Sequence, residues 1–237
     1  MDIYFKVNER VNGYTILKVL GEGRFGIAYL AMNDRNQKCV VKQLKREMLE
    51  KSREKLFYEE QILRRLNNPR FPKFISKFKD AYREGYLLEY MDGYVFDDLI
   101  GNNRYRMSKD KIYMICSQLL DLVEILHNNN IVHRDIRLPN VIIRENKELA
   151  LIDFGLARFI DNERYTKETD YWYIGDFLIY LYYSTYKSIR LSERPWYEEL
   201  DMNYEERKFI KRLMGIDGRY HNMVDIRAQF EKIKNIR

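Results

Sequence analysis

Two cysteines, four prolines and eleven glycines in 237 residues exclude several kinds of protein at once. Cys39 and Cys116 have no companions at metal-ligand spacing and are too few for a disulfide framework, so they are expected as small core residues in a reducing compartment. No disulfide is expected. So little proline and glycine beside 46% hydrophobic residues argues against disorder and leaves enough apolar material for one large domain or two small lobes. No run approaches the roughly 18 uncharged apolar residues of a membrane span, and MDIYFKVNER lacks the apolar core of a signal peptide. A cytoplasmic protein is the expectation. Blocks of one charge are missing too: 42 Lys and Arg are interleaved with 36 Asp and Glu. The net charge of +6 therefore describes a solvated surface that tolerates an anionic substrate, and nucleic acid is not an expected partner.

From about Tyr14 to Leu44 the runs YTILKVL, GIAYLAM and KCVVKQL, separated by a glycine-rich turn and by NDRNQ, predict an antiparallel meander. The spacing of Leu56, Ile62, Leu63 and Leu66 predicts one helix over Ser52–Leu66, ended by Asn68-Pro69. Two more strands, FISKFK and GYLLEYM, precede a long helix from Ser108, a plausible N-cap, to His127, whose apolar stripe runs through Ile112, Ile115, Leu119, Leu122 and Leu126. A division into lobes is expected near Glu89 to Asp92. Further helices are expected over Tyr171–Tyr186, Tyr204–Met214 and Met223–Ile233. There is no internal repeat, low-complexity tract or linker.

Four motifs carry chemistry. In GEGRFG, Gly21 to Gly26, glycines let a backbone approach phosphate oxygens, and the strand IAYLA that follows favours a hairpin flap over a nucleotide rather than a dinucleotide fold. A tight hairpin without ligand would look the same. Lys42, ending CVVK, can reach beneath such a flap, although a strand lysine alone is more often an ordinary half-buried one. It needs a carboxylate: Glu59 shares a helix face with Leu63, whereas Glu60 lies about 100° round and is expected to be solvated. HRDIRLPN, His133 to Asn140, is a polar loop between apolar segments. Asp153-Phe154-Gly155 follows the apolar run LALI, where a carboxylate can chelate a magnesium ion on the phosphates and Gly155 lets the chain turn.

In this order and spacing, from about residue 14 to 160, the set resembles the eukaryotic-like protein kinases, and in its compactness the bacterial serine/threonine kinases. The resemblance implies an α+β, bilobal protein-kinase fold: an antiparallel N-lobe with one helix over about 1–90, a mainly helical C-lobe over about 91–237, together a single kinase domain. It further implies an ATP-dependent protein kinase using Mg2+, or Mn2+, with a protein as acceptor. Asp135 is then the catalytic base, Arg137 the cation beside the transferring phosphoryl group, Lys42 and Glu59 the ion pair, and Asn140 and Asp153 the metal ligands. Leu20, Gly21, Glu22, Gly23, Gly26, Ala28, Val40 and Ile142 would enclose the nucleotide, with Leu88 as gatekeeper and Glu89 to Met91 as the hinge. His133 becomes a packing residue, stacked with Leu63, Phe74 and Phe154, and Asp176 the buried helix aspartate that anchors the HRD backbone.

The chain departs from the pattern in one region. Only residues 154 to 175, 22 in number, separate Asp153 from Asp176, and no APE triplet occurs among them. Conventional peptide docking is therefore in question, and a small-molecule phosphotransferase on the same fold is the alternative. A pseudokinase module is a second, opposed by the presence of Lys42, Asp135 and Asp153. Arg134 is placed to meet a phosphate on Tyr165, Thr166 or Thr169; a loop ordered without phosphate is the competing reading.

Overall fold

A computed structural model describes residues 2–56, 58–101, 106–186 and 194–235. These fall into two compact units, 1–92 and 93–237.

In the first unit, alternation of apolar and polar residues produces strands with one buried face. Strands β1 (Arg10–Val11), β2 (Tyr14–Glu22), β3 (Gly26–Asn33) and β4 (Lys38–Leu44) are followed by helices α1 (Arg46–Leu56) and α2 (Tyr58–Leu63), then β5 (Phe74–Lys79) and β6 (Glu84–Glu89). The sheet order is β1-β2-β3-β4-β6-β5, with every neighbouring pair antiparallel. Ile27, Tyr29 and Ala31 of β3, Cys39 and Val41 of β4, and Leu87 of β6 form one core with Phe5, Ile16 and Phe78. The predicted helix over Ser52–Leu66 is replaced by α1 and α2. The helical region starts six residues earlier because the carboxylate of Asp2 accepts from the Arg46 N–H at 2.8 Å, a cap supplied from far away in sequence. Ile62, Leu63 and Leu66 are buried as expected, whereas the Leu56 side chain lies outside the described residues.

Residues 2–5 are stitched to this unit atom by atom. Besides the Asp2 cap, Ile3 offers its carbonyl to the Gln43 amide at 3.0 Å, and Tyr4 donates its hydroxyl to Glu22 at 2.8 Å. Phe5 lies against Tyr29 and Phe78, ring centroids 5.5 Å from each.

The second unit opens with β7 (Tyr94–Val95) and α3 (Phe96–Gly101), then the long α4 (Lys109–Asn128). Ser108 caps α4, its Oγ accepting from Lys111 N–H at 3.4 Å, and the stripe Ile112, Ile115, Leu119, Leu122 and Leu126 is buried. Short strands follow: β8 (Ile131–Val132), β9 (Val141–Ile143), β10 (Leu149–Leu151) and β11 (Arg158–Phe159), forming sheets β10-β9-β7 and β11-β8. The remaining helices are α5 (Lys167–Tyr183), α6 (Trp196–Glu199), α7 (Tyr204–Leu213) and α8 (Met223–Asn235). Helix α5 thus begins before the expected Tyr171. It packs closely on α7, since a Cβ on Gly175 would stand 2.7 Å from Met214 Cγ.

Glu206 ties α4, α5 and α7 together. Buried, it accepts from the hydroxyls of Tyr113 and Tyr182, from Lys109 Nζ at 3.1 Å and from the Asn203 N–H at 2.6 Å. Burial alone would raise its pKa; the bonds from Tyr113, Asn203 and Lys109 together outweigh it and hold the carboxyl below the ordinary glutamate value. A lowered folded pKa means stability that is present above the unfolded value, about 4.3, and lost as pH falls through the folded one. Glu206→Gln is therefore expected to lose about 2–4 kcal/mol at neutral pH and to flatten the acid limb of the stability curve. Urea titrations at pH 7 and pH 4 check this; an unchanged acid limb would show that Glu206 is not its source.

Both cysteines are buried and free, and burial pushes the Cys39 thiol up to about 12. Among the described residues no helix is long and apolar enough to cross a membrane.

Candidate functional site

In the first unit the sheet register decides which side chains share a face. Ala28 stands opposite Lys42, which stands opposite Tyr86; one step on, Leu30, Val40 and Leu88 are aligned in the same way. Paired residues point to the same side. Ala28, Val40, Lys42 and Leu88 therefore occupy the face opposite the core of Ile27, Tyr29, Val41 and Leu87. On this face Lys42 Nζ meets Glu59 Oε2 at 2.6 Å, with Glu59 only 1% exposed. The same carboxylate oxygen accepts from the buried Tyr86 hydroxyl. Tyr86 was missed in the sequence, where a tyrosine inside GYLLEYM looks like any strand residue.

Gly21 lies in β2 opposite Ala28, and the Gly23 N–H donates to the Gly26 carbonyl at 2.9 Å, closing the hairpin. A Cβ on Gly21 or Gly23 would meet no atom within 4 Å, whereas one on Gly26 would stand 2.4 Å from the Gln43 carbonyl oxygen. Gly26 thus serves the packing of β3 on β4; Gly21 and Gly23 keep a stretch of backbone uncovered. Glu22 pairs with Lys45 at 2.6 Å, and Leu20 is exposed. Glu89 ends β6, its N–H donating to the Lys73 carbonyl at 2.8 Å, and Met91 is buried two residues on.

Within the second unit the polar loop between β8 and β9 folds around Asp135. Arg137 places its guanidinium fork on both carboxylate oxygens, Nη2 to Oδ2 at 3.0 Å. Asn140 donates its amide to the Asp135 carbonyl at 2.9 Å and to Oδ2 at 2.8 Å. Its NH2 is spent there, so the amide oxygen is the atom left to meet a cation. The bond to Asp135 raises the Arg137 pKa further, keeping it charged. Asp135 and Asn140 are buried while Arg137 reaches solvent. Asp153 follows β10, and Ile142 of β9 is buried.

His133 is fully buried, its ring 4.7 Å from that of Phe154 and its Nε2 3.2 Å from the Ile152 carbonyl. Burial lowers its pKa despite the acids around it. A neutral packing residue results.

Three expectations are corrected. Asp170, not Asp176, anchors the loop: it is fully buried, accepts from the backbone N–H groups of His133 and Arg134, the latter at 2.8 Å, and lies 3.0 Å from His127 Nε2. Asp176 is half-buried, and burial raises its pKa. The signal was the spacing: Asp170, Ile174, Phe177, Leu178 and Leu181 form one buried stripe, from which Asp176 is turned by about 120°. Residues 154 to 169, 16 in number, therefore separate Asp153 from its anchor, fewer than expected. Second, the sharp turn after β10 is made by Asp153 itself, at φ 59, while Gly155 sits in a 3-10 turn. Third, Glu60 is buried rather than solvated, because Arg64 at 3.1 Å and Lys77 at 2.6 Å neutralise it.

Arg134, at φ 68, donates Nη1 to the Leu156 carbonyl at 3.1 Å and lies 4.7 Å above the Tyr165 ring.

The model of the protein kinase domain family matches residues 14–201. The probable serine/threonine-protein kinase YbdM of Bacillus subtilis is 32% identical over 227 residues, covering 92% of this chain and 88% of that protein. The carbon catabolite-derepressing protein kinase of Saccharomyces cerevisiae is 30% identical over 160 residues, 66% of this chain and 25% of that protein. For the human serine/threonine-protein kinase Nek5 the identity is 32% over 156 residues, 63% of this chain and 22% of that protein. The chain thus spans most of the bacterial relative and about a quarter of the two eukaryotic ones. Use of ATP and a divalent metal is general in this family. With four fifths of its length matched by the family model and the bacterial relative aligned along most of both chains, the protein belongs to the protein kinase domain family and has its α+β fold.

Proposed function

We propose that the chain, as a single kinase domain, transfers the γ-phosphoryl group of ATP to a serine or threonine hydroxyl of an acceptor protein in the cytoplasm. The observation that carries this reading is the Asp135 cluster. A buried carboxylate gripped by Arg137 and Asn140, on a loop anchored by Asp170, is fixed in orientation before any substrate arrives. In it Asp135 accepts the proton of the attacking hydroxyl, and Arg137 offsets charge on the phosphoryl group. Lys42, held by Glu59, meets phosphate oxygens, and the backbone of Gly21 to Gly26 covers them. Ala28, Val40, Leu20 and Ile142 pack on the base, beside the gatekeeper Leu88 and the hinge backbone of Glu89 and Met91. The metal, Mg2+ or Mn2+, neutralises phosphate charge when bound; Asn140 and Asp153 would hold it, and the uncovered backbone at Gly21 and Gly23 suits the triphosphate. The names of the relatives favour a protein acceptor over a small molecule.

Tyr86 belongs to this machinery as a positioning residue. Tyr86→Phe keeps the ring beside Phe74 but removes the hydroxyl that donates to Glu59, and is expected to lower kcat/KM for ATP by about tenfold. Steady-state kinetics at varied ATP check this; unchanged kcat and KM would remove Tyr86 from the account.

The test of the reading is transfer from radiolabelled ATP, first with the protein alone, then with cell extract divided into protein and small-molecule fractions. Label on Ser or Thr of protein is expected. Label confined to small molecules, or none anywhere, would overturn it.

A further inference from the structure

A cavity of about 390 Å³ lies in the second unit, between the first turns of α5 and the loop that follows α7. Its walls include Trp172, Tyr173 and Tyr220 together with Arg212 and Arg219. The Arg212 guanidinium lies 4.1 Å over the Tyr220 ring, and Arg219 folds back over Gly215, where a Cβ would stand 2.9 Å from its Nε. Neither arginine has an ion-pair partner among the described residues. Glu168, the acid of this wall, faces His221 instead, 3.6 Å away. Trp172 is 41% exposed, and the buried hydroxyl of Tyr171, in the lining, has no hydrogen-bond partner among the described residues. The hydroxyl of Tyr173, in the same wall, has its pKa raised, first by burial and then by the negative charge of Asp135.

We infer that this cavity is a docking subsite for an acidic side chain, Asp or Glu, carried on the same segment of the acceptor protein as the hydroxyl to be phosphorylated. Two guanidinium forks without carboxylates match a planar anion, and the indole and phenol rings cover the methylenes of the side chain that bears it. A free small anion would not use those rings. The inference rests on the acceptor being a protein, and it supplies a peptide contact where the short stretch after Asp153 lacks a conventional one.

The experiment is a positional-scanning library of Ser/Thr peptides phosphorylated by the full chain, with Asp, Glu, phosphoserine, Gln and Lys at each position. Selection of Asp or Glu over Gln by about tenfold at one position is expected. Arg212→Gln should reduce that ratio to about twofold, and Arg212→Glu should turn it toward Lys. Arg219→Gln should act in the same direction, with a thermal melt of each variant reporting its folding. Phosphorylation with no acidic preference, preference for phosphoserine alone, or a ratio unchanged in both arginine variants would overturn the subsite while leaving the kinase reading intact. A second measurement stands apart from catalysis: fluorescence anisotropy of a labelled acidic peptide and its Gln counterpart without nucleotide. Equal binding of the two overturns the subsite even if no library peptide is phosphorylated.

Discussion

Asp135→Asn is expected to lower phosphoryl-transfer turnover by about 10²–10⁴-fold, about 3 to 5 kcal/mol of barrier, while leaving ATP affinity close to wild type. The substitution removes the proton acceptor and also changes the loop locally. Asp135 now receives the Arg137 fork and the Asn140 amide, all donors; an Asn there presents one oxygen and an NH2 group to the same donors. Turnover should therefore fall further than the loss of basicity alone implies. Single-turnover kinetics with radiolabelled ATP, beside a nucleotide-binding titration, separate the two effects. Wild-type turnover in this variant would remove Asp135 from its role. A large loss of ATP affinity would instead make it a structural residue.

The second large effect is on stability. Asp170→Ala would strand two buried backbone N–H groups and the His127 ring, each at a cost of about 1–3 kcal/mol, and release Arg134 from a left-handed conformation that its neighbours impose. A loss of about 3–5 kcal/mol is expected, with activity lost alongside. Asp170→Asn keeps one acceptor and should fall between. Both tryptophans, Trp172 and Trp196, lie in the second unit, so urea unfolding followed by their fluorescence reads the unit that contains Asp170. A midpoint unchanged in the Ala variant would refute the anchor. If Asp176→Ala produced the larger shift, the earlier assignment would be restored.

That exchange of aspartates shows where sequence reasoning stops. Glu59 could be preferred to Glu60 because one helix face holds Lys42's partner, and periodicity expressed that face directly. Helix α5 offers no such contrast: it is apolar on nearly every side, and an expected start at Tyr171 left Asp170 outside it. Only the stripe at 170, 174, 177, 178 and 181 distinguishes them. The start of α1 was hidden for a different reason, since its cap is Asp2, and a local reading cannot find a partner 44 residues away. Tyr86 was hidden because its meaning is relational: a phenol in a strand becomes significant once register sets it beside Lys42. What composition and spacing did express were the alternating strands, the α4 stripe and the polar loops, all of which depend on neighbours within a few residues.

The stitching of residues 2–5 has an energetic corollary. Tyr4 and Lys45 both grip Glu22, inside the glycine hairpin, and Asp2 reaches the start of α1. The hairpin gives up part of its conformational freedom when the first unit folds, so less remains to be lost when something settles beneath it. A handful of residues remote in sequence from every motif thereby acts as a splint on the most glycine-rich stretch of the chain.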